Sequence, residues 1–100
     1  MTDLELLEAA AKAAGRGSQW WMESVWNGPD KEWNPLTDDG DALRLAVKLG
    51  IQIDPRDPET RVFGPIGERV DEYHKPDPYA ATRRAIVRAA AAIAKAEEKT

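Results

Sequence analysis

The sequence predicts an α+β domain, a three-layer α/β/α sandwich in which a small, mainly antiparallel sheet of three to four strands is joined by about three helices. Three observations predict it. Helical apolar periodicity recurs over residues 2–14, 37–49 and 77–97. Between the second and third of these, short runs of alternating polarity are separated by Pro- and Gly-rich turns, with no crossover long enough for parallel pairing. The middle helix is apolar around most of its circumference, and residues 18–26 are apolar on both faces of an expected strand, so each needs cover from two sides.

The first helix opens with a capping box, Thr2 followed three places later by Glu5, in which each side chain satisfies a backbone N–H of the turn. Leu4, Leu7, Ala11 and Ala14 fall on one face, Leu6 and Ala10 widen it, and Gly15 and Gly17 end the helix. Residues 18–26, Ser-Gln-Trp-Trp-Met-Glu-Ser-Val-Trp, turn abruptly aromatic and β-branched, which suits a strand. Trp20, Met22 and Trp26 share one face, and Trp21 and Val25 share the other with Gln19 and Glu23. Asn27-Gly28-Pro29-Asp30 is a turn signal, and Pro35 holds Asn34 extended.

The middle helix is capped by Thr37 or Asp38, with Asp38, Asp39 and Asp41 at the positive end of its dipole. Gly50 stops it. Ala42, Leu43, Leu45, Ala46, Val47 and Leu49 cover most of its surface, leaving Arg44 and Lys48 as a solvent stripe, so it is the expected centre of the fold. After it, Ile51-Gln52-Ile53, Arg61-Val62-Phe63 and Arg69–Tyr73 read as a meander, with turns at 54–58 and at Gly64-Pro65-Ile66-Gly67. Asp77-Pro78 starts the last helix. Alanine, the best helix former, dominates it. Tyr79, Ile86 and Ile93, with Ala89 and Ala90, are its expected buried stripe; Arg84, Arg88, Ala91 and Lys95 lie on the far side.

One hundred residues make a single domain, 1–100. The absence of cysteine excludes disulfides, thiol catalysis and thiolate metal sites. Eighteen acidic against 14 basic residues give a net charge of −4, which argues against nucleic-acid binding, since phosphate contacts need a concentrated basic surface. The acids crowd residues 3–8, 30–41 and 54–59, while Arg83, Arg84, Arg88 and Lys95 gather in the last quarter. No apolar run approaches the roughly 20 residues of a membrane span. The opening is acidic rather than the basic and apolar lead of a secretory signal, so a soluble cytoplasmic protein is expected.

No constellation carries recognisable chemistry, and no catalytic residue, cofactor or metal is expected. His74 is the only histidine and has no Ser, Cys or second His at triad or ligand spacing, so it reads as a solvated loop residue. Asp38, Asp39 and Asp41 lack the alternation and closing glutamate of a calcium loop and read as caps. The glycine pairs at 15–17 and 64–67 lack the continuation that phosphate loops need. The tryptophans at 20, 21, 26 and 33 either fill the core or leave one or two at the surface as anchors, a role for which Trp and Arg are enriched. On that second reading, the partner-binding residues are Trp21, Glu23, Trp26, Arg84 and Arg88.

Trp33-Asn-Pro-Leu-Thr-Asp-Asp-Gly-Asp-Ala-Leu-Arg-Leu-Ala-Val-Lys-Leu-Gly-Ile51, together with Asp77-Pro-Tyr-Ala-Ala-Thr-Arg-Arg-Ala-Ile-Val-Arg-Ala-Ala-Ala-Ala-Ile93 and the Leu-Leu-Glu-Ala-Ala opening, resembles small phage and prophage proteins of the phage ABA sandwich domain family. The resemblance implies helices on both faces of a small sheet and a phage or prophage origin. It implies no activity, and residues 16–32 and 52–76 match the family pattern least. The expected function is non-enzymatic binding of a host protein, with counter-defence such as inhibition of a CRISPR complex as one form. The alternative is a self-associating structural or assembly protein, for which the small-residue stripe Ala85, Ala89, Ala92 and Ala96 would supply a contact.

Overall fold

The computed structural model describes residues 2–15 and 33–98; the expected strand at 18–26, with Trp21, Glu23 and Trp26, lies outside the described residues. Helix α1 (Asp3–Ala13) forms through the capping box read from the sequence: the Thr2 N–H donates to Glu5 Oε1 at 3.1 Å, and the Glu5 N–H to Thr2 Oγ1 at 3.2 Å. Its buried stripe is Leu6, Leu7, Ala10 and Ala11, and Leu4 points to solvent instead of joining it.

Helix α2 (Asp39–Leu49) is capped by Asp38, whose Oδ2 accepts the Asp41 N–H at 2.8 Å. Gly50 closes it in the left-handed region, φ 69, where a side chain would be strained. The all-round burial expected of this helix is not what the chain adopts. Its covered face is Asp41, Ala42, Leu45 and Ala46, whereas Leu43 and Val47, one turn apart on the outer side, are 58% and 74% exposed. Buried Asp41 accepts the Asn34 N–H at 2.9 Å and pairs with Arg44 at 2.8 Å, which ties the Trp33–Pro35 approach onto the helix. Trp33 is buried there, so this one tryptophan is core.

Strands β1 (Gln52–Asp54), β2 (Glu59–Phe63) and β3 (Arg69–Tyr73) make the antiparallel meander in chain order, with Ile53 opposite Val62 and Val62 opposite Val70. Alternation sorts the side chains. Thr60, Val62 and Val70 face the core, while Arg61, Phe63, Arg69, Asp71 and Tyr73 face outward. Charges on the outer side pair along the strands, Glu59 with Arg61 and Arg69 with Asp71, each at 3.1 Å.

The hub is α3 (Pro78–Glu98), the alanine-rich helix. Both β2 and β3 pack on it, and so do α1 and α2. Alanine makes this possible: Ala85, Ala89 and Ala90 are wholly buried, and with side chains of one carbon several elements approach the same helix closely. Ile86 and Ile93 are buried as expected, and Val87 with them. Two assignments on this helix change. Ala91 is buried rather than on a solvent side, because α3 is covered on more of its circumference than a single stripe provides, and Tyr79 in the first turn stands in solvent. The class is α+β, with three helices and a three-stranded antiparallel sheet among the described residues. Among those residues the helices meet the sheet through α3 on its inner face; a helical layer on the outer face, which an α/β/α order requires, is not seen there.

Candidate functional site

The start of α3 is fixed by Asp77, whose Oδ1 accepts the Tyr79 N–H at 2.9 Å, and by Pro78, which needs no N–H partner at this position. Tyr79 therefore enters the helix with its ring outside the core, 69% exposed. Arg83, one turn on, straps the two helices together: its Nε donates to Leu36 O at 2.8 Å and its Nη1 to Asp39 Oδ1 at 2.6 Å. Between these elements lies a cleft of about 440 Å3. Ala42 and Leu43 form its α2 wall, Ile53 and Pro55 its sheet side, and Tyr79 and Ile86 its α3 wall. That volume falls within the ordinary range of binding sites, about 300–1,000 Å3, and the lining is mostly apolar.

His74 borders the cleft and is not the solvated loop residue the sequence suggests; it is 9% exposed. Strand register delivers it, since its own N–H donates to Pro58 O at 2.9 Å and its ring reaches inward to Thr60. Nε2 lies 2.8 Å from Thr60 Oγ1, which lies 2.7 Å from Thr82 Oγ1, which lies 2.8 Å from Pro78 O. The direction of this chain follows from its last member. A carbonyl only accepts, so the Thr82 proton goes to Pro78 O; Thr82 then accepts the Thr60 proton, and Thr60 accepts from His74 Nε2–H. Nδ1 faces the Asp57 carboxylate at 3.7 Å.

Aspartate, imidazole and hydroxyl in that order resemble a nucleophilic triad, and the geometry disposes of the likeness. A triad histidine must accept the hydroxyl proton, whereas here the ring donates, and Thr60 has no surface a substrate could reach. What the thread does is satisfy buried Thr60 and His74 together with half-buried Thr82, polar side chains from β2, the segment after β3 and α3, at once.

The sequence-derived binding residues fall elsewhere. Arg84 and Arg88, a turn apart on α3, border a second hollow of about 320 Å3 with Leu6, Ala91, Ala92 and Lys95. Both are already engaged. Arg84 Nη1 bonds Asp3 Oδ1 at 2.9 Å and so clasps α1, while Arg88 bonds Glu72 and clasps β3. Trp21, Glu23 and Trp26 lie outside the described residues, so nothing joins them to this pair. A third hollow, of about 240 Å3, is walled by Asp54, Arg56, Asp57, Glu59 and Arg61; the Asp54–Arg56 pair at 2.8 Å holds the Asp54 carboxyl below its ordinary range.

The apolar cleft was the part that periodicity missed. Its signal was present in Leu43 and Val47 at i, i+4 and in a tyrosine on the first turn of α3, but apolar spacing alone does not say which of two stripes faces the core. Among the described residues no group of three or more His, Asp or Glu could hold a metal ion, and no helix is long and apolar enough to cross a membrane. Comparison with protein-family models, with curated proteins and with solved structures finds no match to this chain.

Proposed function

We propose that this chain is a small phage or prophage accessory protein that works without catalysis, binding a host protein in the host cytoplasm through the cleft between α2 and α3. The observation that carries this is the exposure of three bulky apolar side chains, Leu43, Val47 and Tyr79, at and beside a cleft whose polar groups are already engaged within the chain. Asp39 and Arg83 hold each other, Thr82 is spent on Thr60 and Pro78 O, and His74 Nε2 is spent on Thr60. A polar metabolite finds few open partners there. A protein that brings apolar side chains gains about 25 cal/mol for each Å2 of apolar surface it removes from water, and a tyrosine is a common anchor of such contacts. The phage assignment rests on the resemblance of residues 33–51 and 77–93, and counter-defence is one form that host binding takes.

Affinity capture of the tagged protein from host lysate tests the reading, run beside Leu43→Asp and an Arg84→Ala/Arg88→Ala double variant. A single stoichiometric partner that is lost with Leu43→Asp and kept by the arginine variant is the expected result. A partner lost only with the arginine variant would move the site to the basic hollow, and no partner at all would remove the proposal.

A further inference from the structure

The hydrogen-bond thread that ends on Pro78 O also decides which nitrogen of His74 is bare. Nε2 carries a proton, because it donates to Thr60 and each hydroxyl further along the thread has its own proton committed. In the neutral ring the other nitrogen, Nδ1, therefore has a lone pair and no proton. It faces the Asp57 carboxylate of the β1–β2 loop at 3.7 Å, outside hydrogen-bond reach. Two acceptors thus stand opposite each other, and they do not attract.

A proton taken up by this ring has one place to go, Nδ1, and there it turns the opposition into a charge-assisted hydrogen bond. Such bonds run about 2.7–2.9 Å, so closing the contact brings the carboxylate in by about 1 Å. Asp57 has room for the movement: its side chain is 92% exposed, whereas the ring, at 11%, is fixed through Nε2 by Thr60. The same loop carries Pro55, and Pro55 and His74 both border the apolar cleft. We infer that His74 is a protonation-controlled latch: gaining a proton at Nδ1 draws Asp57 in and fastens the β1–β2 loop, with the Pro55 wall of the cleft, to the end of β3.

The other charged groups of the surrounding elements are engaged elsewhere or stand in solvent. On β2, Glu59 pairs with Arg61 on the outer side of the sheet. On α3, Arg83 borders the cleft and is held by Asp39 of α2. After β3, Asp77 caps α3 through the Tyr79 N–H, and Lys75 is exposed. Within the loop, Asp54 pairs with Arg56, which leaves Asp57 as the carboxylate set against Nδ1. The latch is a property of the chain alone and does not depend on which partner the cleft takes.

Nitrogen-15 NMR of ring and backbone between about pH 8 and about pH 5, the range in which histidines ordinarily change charge, tests it. At the upper end the neutral ring is expected to show a protonated Nε2 and a bare Nδ1. As pH falls, Nδ1 gains the proton, and the amides of Arg56, Asp57 and Glu59, whose N–H closes the loop on Arg56 O at 3.1 Å, shift together with it. Asp57→Ala, at an exposed position, is expected to keep the titration of the ring and to lose most of the loop shifts. A neutral ring protonated at Nδ1, loop amides that do not follow the ring, or loop amides that follow it equally in Asp57→Ala overturn the inference. The last comparison separates a latch from proximity to charge, because the ring of the variant still takes up its proton.

Discussion

Asp41 is a carboxylate at 3% exposure in a helix whose one other acid, Asp39, is exposed, and its surroundings say what it is for. It accepts the Asn34 N–H and holds the Arg44 guanidinium, so Asp41→Ala strands a backbone donor in a part-buried place. The expected loss is about 1–3 kcal/mol of unfolding free energy, read as a lower denaturant midpoint, with Asp41→Asn retaining part of it. Glu5 makes a different case, because it is fully exposed and the share of its carboxylate in the capping box can be read through pH. The Thr2 backbone and side chain bond its carboxyl and hold it below its ordinary value of 4.5. A depressed folded-state value stabilises the fold above 4.5, and that stabilisation is lost as pH falls through the folded value. Melting temperature measured from about pH 7 down to about pH 3 should therefore fall less steeply in Glu5→Gln than in the wild type. At this scale the sequence was legible where partners are local. Thr2 and Glu5, three residues apart, were read as a capping box, whereas Asp41 was read as a dipole charge and His74 as a loop residue. The ring partner of His74 is 14 residues away and is supplied by strand register, which spacing along the chain does not reveal.

The exchange of roles between α2 and α3 is the lesson at the scale of elements. Apolar content marked α2 as the centre, but burial is decided by what packs against a stripe. Small side chains invite more neighbours than large ones do, so the alanine helix became the hub and α2 kept one apolar stripe in solvent. Element ends and the meander were legible because caps, prolines and glycines act locally; the choice between two apolar faces was not. The alanine stripe shows the same thing, since Ala85 and Ala89 are wholly buried inside the chain's own core and are not free to carry self-association. Ala89→Leu should then overpack the hub and cost about 1–3 kcal/mol, while Leu43→Ala at an exposed position should move stability by no more than about 0.5 kcal/mol. Paired chemical denaturation curves decide it: equal effects would mean that α3 is not the packing centre.

At the scale of the whole molecule, the described basic side chains of α3 are largely paired while Leu43, Val47 and Tyr79 stay exposed, and this sets how a contact responds to salt. The basic residues gathered near the C-terminus are largely spent on the fold: Arg83 on Asp39, Arg84 on Asp3 and Arg88 on Glu72. The segregated charge visible in the sequence is thus in good part internal pairing, which formal charge counts do not show. Among the described residues, the apolar cleft with Leu43 and Tyr79 at its edge stays open to a partner. A contact made by complementary charge weakens as salt shortens the screening length from about 10 Å at 0.1 M to about 3 Å at 1 M. A contact made by burying Leu43, Tyr79 and a partner's apolar groups is not screened, and sulfate strengthens it by exclusion from exposed surface. Partner capture through the cleft should therefore survive a rise to about 0.5 M sodium chloride and gain in sodium sulfate of equal ionic strength. Loss of capture in the chloride series would assign binding to the arginine side of α3.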